Sequence, residues 1–560
     1  MPEGKSQSHK VQKIIKEYQQ LDVPVLTDNI IEEITMISMR DNCQLKTHIF
    51  HPEDKNGIWK EKSYPVILQR SPYLHAEEIY RTHGTELAKR GFVYILQWCR
   101  GIGESEGKWN PNENEREDGL DTVDYLISCA WVKNIGFWGD SYLALTGWCM
   151  ADAVPDKVKG MYLGVYGTDR FCSVYEKGLF RHDVFTAWAM ENAGEPIEAD
   201  YLESCFYRPH YLVDEKLWGL KLPWYRKMIS AVREKDTYWK TGVWKMLREI
   251  PEKVKIPLFI REGWYDHHLG SAIKAYEKLG KEAKEHSTFQ IGCWNHESED
   301  VLEWCDALNL QESEVQTMVP WFHKILMDEK MPDSEISLYV IGEDRWMKRK
   351  KWPLEFKSKK KWFLSENYSL TEDTNSKELE YTYYYNPDKP VYSYGTESMF
   401  HDMSKVGSLY QPDPNYRADV LSFVSLPLTE SITIGGKIKV FLTVSTDCED
   451  TSFTAKLMVE KKNGKFVNIR SSITTISATD IKNKYIPGNK QMVCIDMWDI
   501  VWKIKEGECL RLDVSSSDFP QYAAHTNYAG IWSKQEKCRI AQQTIYAGQE
   551  CSWVEIPVIS

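Results

Sequence analysis

The amino-acid sequence predicts an α/β domain with a mainly parallel sheet, interrupted by a helical segment and followed by a β-rich domain. Strand-like and helical runs alternate over residues 1–168 and again over 251–332, which is typical of a parallel sheet with helices on both faces. Aromatic-rich helical stretches fill residues 169–250, so we expect a helical cap inserted into the first domain. Short β-type runs separated by turns continue through residues 333–560 and predict a β-sandwich or jelly roll.

The elements of the α/β part follow one another in a regular order. Its strand and helix signals lie at residues 33–39, 45–50, 64–69, 77–89 (helix), 91–96, 119–130 (helix), 256–260 and 288–291. In the last part the clearest signal is Asn463-Gly464, a pair that favours a tight hairpin turn.

Composition and charge exclude several classes of function. The 560 residues include 70 basic and 82 acidic side chains, and the net charge of −12 is spread without long runs of one sign. This balance does not favour nucleic acid or an anionic membrane as the main partner. Residues 1–20 hold no apolar signal-peptide core, and no apolar run is long enough to span a membrane. Scattered cysteines without a Cys-x-x-Cys pair favour reduced thiols, so we expect a cytoplasmic, multidomain protein.

The most informative motif is the run from Asn134 to Leu143, in which an apolar strand reaches Gly139 and Ser141 before helix-forming sequence. A serine at a sharp strand-to-helix turn exposes its Oγ as a nucleophile, beside free N–H groups that can bind an oxyanion. Gly139 provides the space that such a turn needs. The usual pentapeptide has a second glycine two residues after the serine, where this chain has Leu143. Alone, a Gly-x-Ser run is more often an ordinary turn.

A nucleophilic serine needs a base, and the base needs a carboxylate that orients it. Asp266 follows the strand signal at 256–260, and His296 follows the strand signal at 288–291. Considered alone, Asp266 is more often an ordinary loop carboxylate, and His296 is more often a surface histidine. In the order Ser, Asp, His, with each one after a β run, they predict a catalytic triad with Ser141.

An oxyanion hole needs two hydrogen-bond donors. The backbone N–H of Tyr142, directly after the nucleophile, is the first candidate. The second must come from a loop beside an early strand, and the Tyr73 hydroxyl follows the strand at 64–69. Packing over the turn after Pro72 is the commoner role for such a tyrosine when it is considered alone.

These elements together resemble the cocaine-esterase-like hydrolases, a family related to X-prolyl dipeptidyl peptidases and α-amino-acid ester hydrolases. The similarity runs from about residue 30 to the C-terminus. Its segments are residues 39–41, 71–73, 100–107, 139–143, 263–266, 292–296, 385–391, 417–421 and 450–457.

The resemblance implies an α/β-hydrolase core, an inserted helical cap and a C-terminal jelly roll. It also implies Ser141 as the nucleophile, Asp266 and His296 as the rest of the triad, and Tyr73 with the Tyr142 amide as the oxyanion hole. Where the family has a glycine soon after the Ser-Tyr pair, this chain has an alanine, a departure that leaves the chemistry unaffected.

The substrate pocket is less clearly predicted. The amino-acid ester hydrolases bind the substrate ammonium with carboxylates, part of them just after the triad aspartate, where this chain has His267 and His268. A primary-amine substrate is therefore disfavoured. The cocaine-esterase branch has an apolar aromatic residue near the position of His268, so the histidine implies a more polar pocket in this chain. Trp188 is a candidate for the pocket wall, together with the cap aromatics Phe180, Phe185, Tyr207 and Trp218, although helix packing is the commoner role for most of them. Adjacent histidines diverge in direction and no third ligand is evident, so we expect neither a metal nor a cofactor.

The expected reaction is hydrolysis of a small-molecule ester or activated amide. An X-prolyl dipeptidyl peptidase would use the same triad with an acidic pocket for a peptide N-terminus, and a biosynthetic acyltransferase would replace water with an alcohol or amine. A carbohydrate-binding protein with a vestigial hydrolase core is a further alternative, against which the intact Ser, Asp and His argue. The sequence does not decide between these alternatives, nor whether the chain forms homo-oligomers.

Overall fold

A computed structural model describes residues 3–53, 59–310, 313–374, 377–479 and 484–560. Ten strands of these residues form one sheet, in the spatial order Ile30–Ser38, Gln44–Pro52, Val93–Trp98, Tyr64–Ser71, Val132–Asp140, Val158–Gly164, Leu258–Tyr265, Thr288–Asn295, Glu335–Val340 and Arg345–Arg349. The strands from Val93–Trp98 to Glu335–Val340 pair in parallel, and the outer pairs are antiparallel. The carboxyl ends of the parallel strands therefore meet at one edge, where ligands bind in such sheets.

Alternate residues of the central strands supply two hydrophobic cores, one on each face of the sheet. Val66 and Leu68 pack in the first core with helices Glu115–Ser128 and Tyr142–Trp148. Ile67 packs in the second. The helices of that second core are Glu3–Gln19, Glu77–Lys89 and Glu314–Phe322. Helix Leu269–Lys278 follows the strand Leu258–Tyr265 and packs against it.

The segment between the two halves of this domain is helical. Its helices are Arg170–Val174, His182–Glu191, Tyr201–Phe206, Val213–Lys216, Pro223–Ser230, Thr237–Lys240 and Gly242–Glu249, with one short hairpin of Tyr175–Glu176 and Leu179–Phe180. Buried tryptophans and tyrosines hold these short helices together, since most of them are too short to be stable alone. We call residues 169–250 the cap.

The C-terminal part is rich in strands. Its sheet has the order Leu379–Tyr385, Ala541–Ala547, Ile432–Thr446, Trp553–Val558, Ser358–Leu364, Ser369–Thr371, Leu421–Ser425, Leu510–Ser515, Ser452–Glu460 and Phe466–Thr475, with Gln491–Ile504 paired to Ile432–Thr446. The Asn463-Gly464 turn joins Ser452–Glu460 to Phe466–Thr475 as an antiparallel hairpin, as its sequence predicts.

The structure moves the domain boundary predicted at residue 333. Strand Glu335–Val340 pairs in parallel with Thr288–Asn295, and Arg345–Arg349 pairs with it in turn, so both extend the first sheet. A short apolar strand has the same sequence pattern in a parallel sheet as in a β-sandwich. Only its long-range pairing shows to which sheet it belongs. The C-terminal sheet begins at Ser358–Leu364.

The three parts are in direct contact around one edge of the first sheet. Phe400 of the C-terminal part donates its backbone N–H to the carbonyl of Asp183 in the cap at 3.3 Å. The Tyr265 hydroxyl of the first sheet donates to the carbonyl of Ile469 at 3.2 Å. Among the described residues, no helix is long and apolar enough to cross a membrane.

Candidate active site

The strand Val132–Asp140 turns abruptly into the helix Tyr142–Trp148, and Ser141 lies at the turn. Its backbone has φ 54° and ψ −123°, a conformation that a non-glycine residue adopts only under strain of about 1–3 kcal/mol. A Cβ on Gly139 would lie 2.4 Å from the carbonyl carbon of Leu143, so only glycine fits there. Leu143 itself is helical and buried, and a glycine at its place is not needed for the turn.

Ser141, His296 and Asp266 form one hydrogen-bonded chain at the carboxyl edge of the sheet. The Nε2 of His296 lies 2.8 Å from the Oγ of Ser141, and its Nδ1 lies 2.5 Å from Oδ2 of Asp266. The backbone N–H of His268 donates to the other carboxylate oxygen of Asp266 at 2.6 Å, which fixes the carboxylate plane. The arrangement can present a serine Oγ to a neutral imidazole that accepts its proton.

The environment of His296 controls when it can act as a base. Burial lowers the pKa of this side chain, but the Asp266 carboxylate and the hydrogen bond to it outweigh burial, and the pKa is raised above its ordinary value. A raised pKa strengthens the imidazole as a base and requires a higher pH to keep it neutral.

Of the two predicted oxyanion donors, Tyr142 directly follows Ser141, and Tyr73 lies against the ring of Tyr142. Tyr142 is the first residue of its helix, where the backbone N–H has no intrahelical acceptor. The Tyr73 hydroxyl accepts a hydrogen bond from Nε1 of Trp188 at 3.2 Å, and the ring centroids of Tyr73 and Tyr142 are 6.2 Å apart. Burial raises the pKa of Tyr73, so its hydroxyl keeps its proton and can donate it. Trp188, expected only as a pocket wall, thus also orients this hydroxyl.

The side chain of Tyr142 is held by a buried polar network that sequence analysis did not predict. Its hydroxyl donates to Oε1 of Glu115 at 2.9 Å and accepts from the backbone N–H of Asn112 at 2.8 Å. The other carboxylate oxygen of Glu115 lies 3.2 Å from a guanidinium nitrogen of Arg70. The ring of Tyr142 also stacks on Trp188, at 6.4 Å and 13° between planes. These contacts fix the residue whose N–H is the proposed oxyanion donor.

His267 and His268 are both buried beside the triad. Burial lowers the pKa of each well below its ordinary value, so both rings are neutral. Nδ1 of His268 lies 2.7 Å from Oγ of Ser173, while Nδ1 of His267 has no hydrogen-bond partner among the described residues. The ring of His267 lies 4.5 Å from that of His296, which places it directly beside the triad candidates.

Donor atoms of Asp266, His267 and His296 lie within 4.8 Å of one another, a spacing that a metal ion could span. The Asp266–His296 hydrogen bond already uses two of these donors. A metal bound there would replace the bond that orients His296.

Of the cap aromatics, two lie at the site. Trp188 contacts Tyr73 and Tyr142, and the ring of Phe185 is 6.4 Å from that of His267. Trp218 packs inside the cap against Tyr225, and Phe180 stacks on Trp532 of the C-terminal part. Tyr207 is at the end of a short helix and also packs against the core.

Phe400 lies beside the triad candidates, although the sequence did not indicate it. It comes from the C-terminal part, and its ring lies 5.3 Å from His296 and 5.4 Å from His267. No local motif surrounds it, and only the packing of the C-terminal part on the first sheet brings it to the site.

Comparisons with known proteins agree with this architecture. The family model for X-Pro dipeptidyl-peptidase (S15 family) matches residues 41–298, and the model for the X-Pro dipeptidyl-peptidase C-terminal non-catalytic domain matches residues 329–554. The chain is 24% identical to cocaine esterase of Rhodococcus sp. (strain MB1 Bresler) over 582 residues, which covers 94% of this chain and 98% of the relative.

Two solved structures share the fold over nearly the whole chain. An α-amino acid ester hydrolase superposes with a TM-score of 0.80 at 20% identity, covering 96% of this chain and 98% of the other. An aminopeptidase from a marine sediment archaeon, Thaumarchaeota archaeon, superposes with a TM-score of 0.79 at 19% identity, covering 97% of this chain and 99% of the other.

Proposed function

We propose that the chain is a serine hydrolase of the cocaine-esterase-like family and that it hydrolyses carboxylic esters of small molecules with Ser141 as the nucleophile. The observation that supports this most strongly is the hydrogen-bonded chain from Ser141 through His296 to Asp266, with distances of 2.8 Å and 2.5 Å. The strained backbone of Ser141 supports the same role, because such strain is retained where the position of a side chain matters.

In the proposed mechanism, Oγ of Ser141 attacks the ester carbonyl while Nε2 of His296 accepts its proton. Asp266 stabilises the imidazolium that forms, and the carbonyl oxygen becomes an oxyanion. The Tyr73 hydroxyl and the Tyr142 N–H donate to that oxyanion, each contributing on the order of 3 kcal/mol to the barrier reduction.

The imidazolium then gives its proton to the leaving alkoxide, and an alcohol departs from the acyl-enzyme. A water molecule attacks the acyl carbonyl, again losing its proton to His296. Collapse of the second tetrahedral intermediate returns the proton to Ser141 and releases the carboxylic acid.

The charges at the mouth of the site favour esters over peptides with a free N-terminus. A peptidase of this fold needs a free carboxylate for the substrate ammonium. Glu297, directly after His296, is already paired with Lys10 of the helix Glu3–Gln19 at 2.8 Å.

A substrate panel on the purified full chain tests the proposal. We expect hydrolysis of p-nitrophenyl acetate and butyrate, little cleavage of Ala-Pro-p-nitroanilide, and loss of the ester activity in Ser141→Ala. Preferential cleavage of the anilide would show an X-prolyl dipeptidyl peptidase instead. An acyltransferase would be recognised by an alcohol or amine that outcompetes water for the acyl group.

We also propose that the protein works in a reducing compartment such as the cytoplasm. All thirteen cysteines are free thiols in the structure, distributed over the three parts. Retention of activity in a thiol reductant, with no change in melting temperature, is the expected result.

A further inference from the structure

One cation of the cap lies near the proposed triad without a counter-ion. Arg170 opens the helix Arg170–Val174, where the chain leaves the sheet and enters the cap. Its guanidinium carbon lies 4.4 Å from the ring centroid of Phe185, 5.7 Å from that of Tyr166 and 5.9 Å from that of Trp244. Three aromatic rings therefore surround the charge.

The hydrogen bonds of Arg170 do not satisfy the group. A guanidinium nitrogen lies 3.4 Å from the Tyr166 hydroxyl, and its buried Nε has no hydrogen-bond partner among the described residues. The nearest carboxylate in sequence, Asp169, is taken by Lys274 at 2.8 Å and Arg248 at 3.2 Å. No carboxylate of the described chain forms an ion pair with Arg170. Arg170 is half-buried, so its charge is only partly removed from water, and the aromatic rings replace only part of the hydration that it loses.

Arg170 acts on the same groups that form the proposed active site. The Tyr166 ring that it contacts lies 4.4 Å from His268, and the Phe185 ring that it contacts lies 6.4 Å from His267. Its positive charge contributes to lowering the pKa of His267 and His268, after the larger effect of burial. Arg170 thus lies on the cap side of His267 and His268, next to the rings that contact them.

A second polar atom in this region also lacks a partner. Nδ1 of His267 is buried and has no hydrogen-bond partner among the described residues. A guanidinium without a counter-ion and a neutral imidazole nitrogen are together suited to a carboxylate, which accepts hydrogen bonds from both.

We propose that Arg170 binds a carboxylate on the acyl chain of the substrate, so that the preferred substrates are half-esters of dicarboxylic acids. This inference rests on the proposed esterase function and adds the substrate class. The Tyr166 and Phe185 rings that Arg170 contacts lie against His268 and His267, so the acyl chain is the part of the substrate that we direct to Arg170. Arg170 is here a specificity-determining residue.

The test compares the ethyl half-esters of succinate, glutarate and adipate with their neutral primary amides, followed by acid release at constant pH. For the chain length that suits the pocket, we expect kcat/KM of the half-ester to exceed that of the matching amide by about 10- to 100-fold, the usual effect of a hydrogen bond to a charged group. Arg170→Met is expected to abolish this ratio and Arg170→Lys to restore part of it. Arg233→Met, which removes an exposed arginine of the same cap, is the matched control and is expected to keep the ratio.

The outcomes separate the two proposals. If wild-type protein hydrolyses p-nitrophenyl butyrate but prefers no half-ester, the role of Arg170 is refuted and the esterase function stands. A ratio that is unchanged in Arg170→Met, with both rates lowered together, would show a structural role and also refute the inference. Absence of hydrolysis with every ester would refute the proposed function itself.

Discussion

Replacement of Tyr73 by phenylalanine tests the oxyanion hole with the smallest change in shape. The Tyr73 hydroxyl already accepts from Nε1 of Trp188 at 3.2 Å, so its own proton is free to be donated to the oxyanion. Removal of one of two such donors costs about 3 kcal/mol of transition-state stabilisation, or about a 100-fold loss of kcat. Because the bond forms in the transition state, KM is expected to change little.

The change also has a small cost for folding. Trp188 loses its acceptor, and an unmade hydrogen bond of this kind lowers the free energy of unfolding by about 1 kcal/mol. The assay is therefore steady-state hydrolysis of p-nitrophenyl butyrate together with unfolding in denaturant. Tyr80→Phe is the control, because Tyr80 is a buried tyrosine of the same region whose hydroxyl accepts from Oγ of Ser71 at 3.0 Å. A Tyr73→Phe enzyme with the kcat of Tyr80→Phe would refute the assignment.

Three further changes follow from the geometry of the site. Asp266→Asn removes the carboxylate that raises the pKa of His296; kcat/KM is expected to fall about 10³- to 10⁴-fold, and the acidic limb of its pH profile to move to lower pH, because burial alone lowers that pKa. An unmoved limb would contradict the origin of the shift. Gly139→Ala places a Cβ 2.4 Å from the Leu143 carbonyl carbon. We expect this variant to lose activity and its free energy of unfolding to fall by about 1–3 kcal/mol. A fully active variant would contradict the requirement for glycine in the turn. Trp188→Phe removes the hydrogen-bond donor to the Tyr73 hydroxyl and is expected to reduce kcat for p-nitrophenyl butyrate by about tenfold. A rise in KM of the same size, with kcat unchanged, would indicate that Trp188 only forms part of the pocket wall.

The α/β fold and the proximity of the triad candidates could be predicted from the sequence for a simple reason. Ser141, Asp266 and His296 each follow the end of a strand, and the parallel strands bring those ends to one edge of the sheet. The hydrogen-bonded chain among them is the arrangement that the order of the three residues led us to expect. Their catalytic role stays a prediction.

The rest of the site depends on contacts that no local pattern encodes. Phe400 reaches His296 from the C-terminal part, and Glu115 reaches Tyr142 from a helix that precedes the nucleophile. Arg170 could be found in the sequence only as one basic residue among many. Its importance arises from what surrounds it, three aromatic rings and no carboxylate within ion-pair distance among the described residues.

The boundary at residue 333 shows the same difference between local and long-range information. The strand Glu335–Val340 is apolar and short, which suits either the parallel sheet or the β-rich part. Its partner Thr288–Asn295 ends forty residues before it begins, with a helix between them. Only that pairing determines which sheet the strand joins. Such pairings are decided by the packing of the whole domain.

Labelling with a fluorophosphonate is the most direct test of whether Ser141 is the nucleophile. The reagent forms a stable phosphonyl adduct only on a serine activated as in a hydrolase. We expect one adduct per chain, mapped by mass spectrometry to the peptide that contains Ser141, with ester hydrolysis lost in proportion. We expect no adduct in Ser141→Ala. Labelling of another serine, or an Ser141→Ala protein that still hydrolyses p-nitrophenyl butyrate at the wild-type rate, would contradict it.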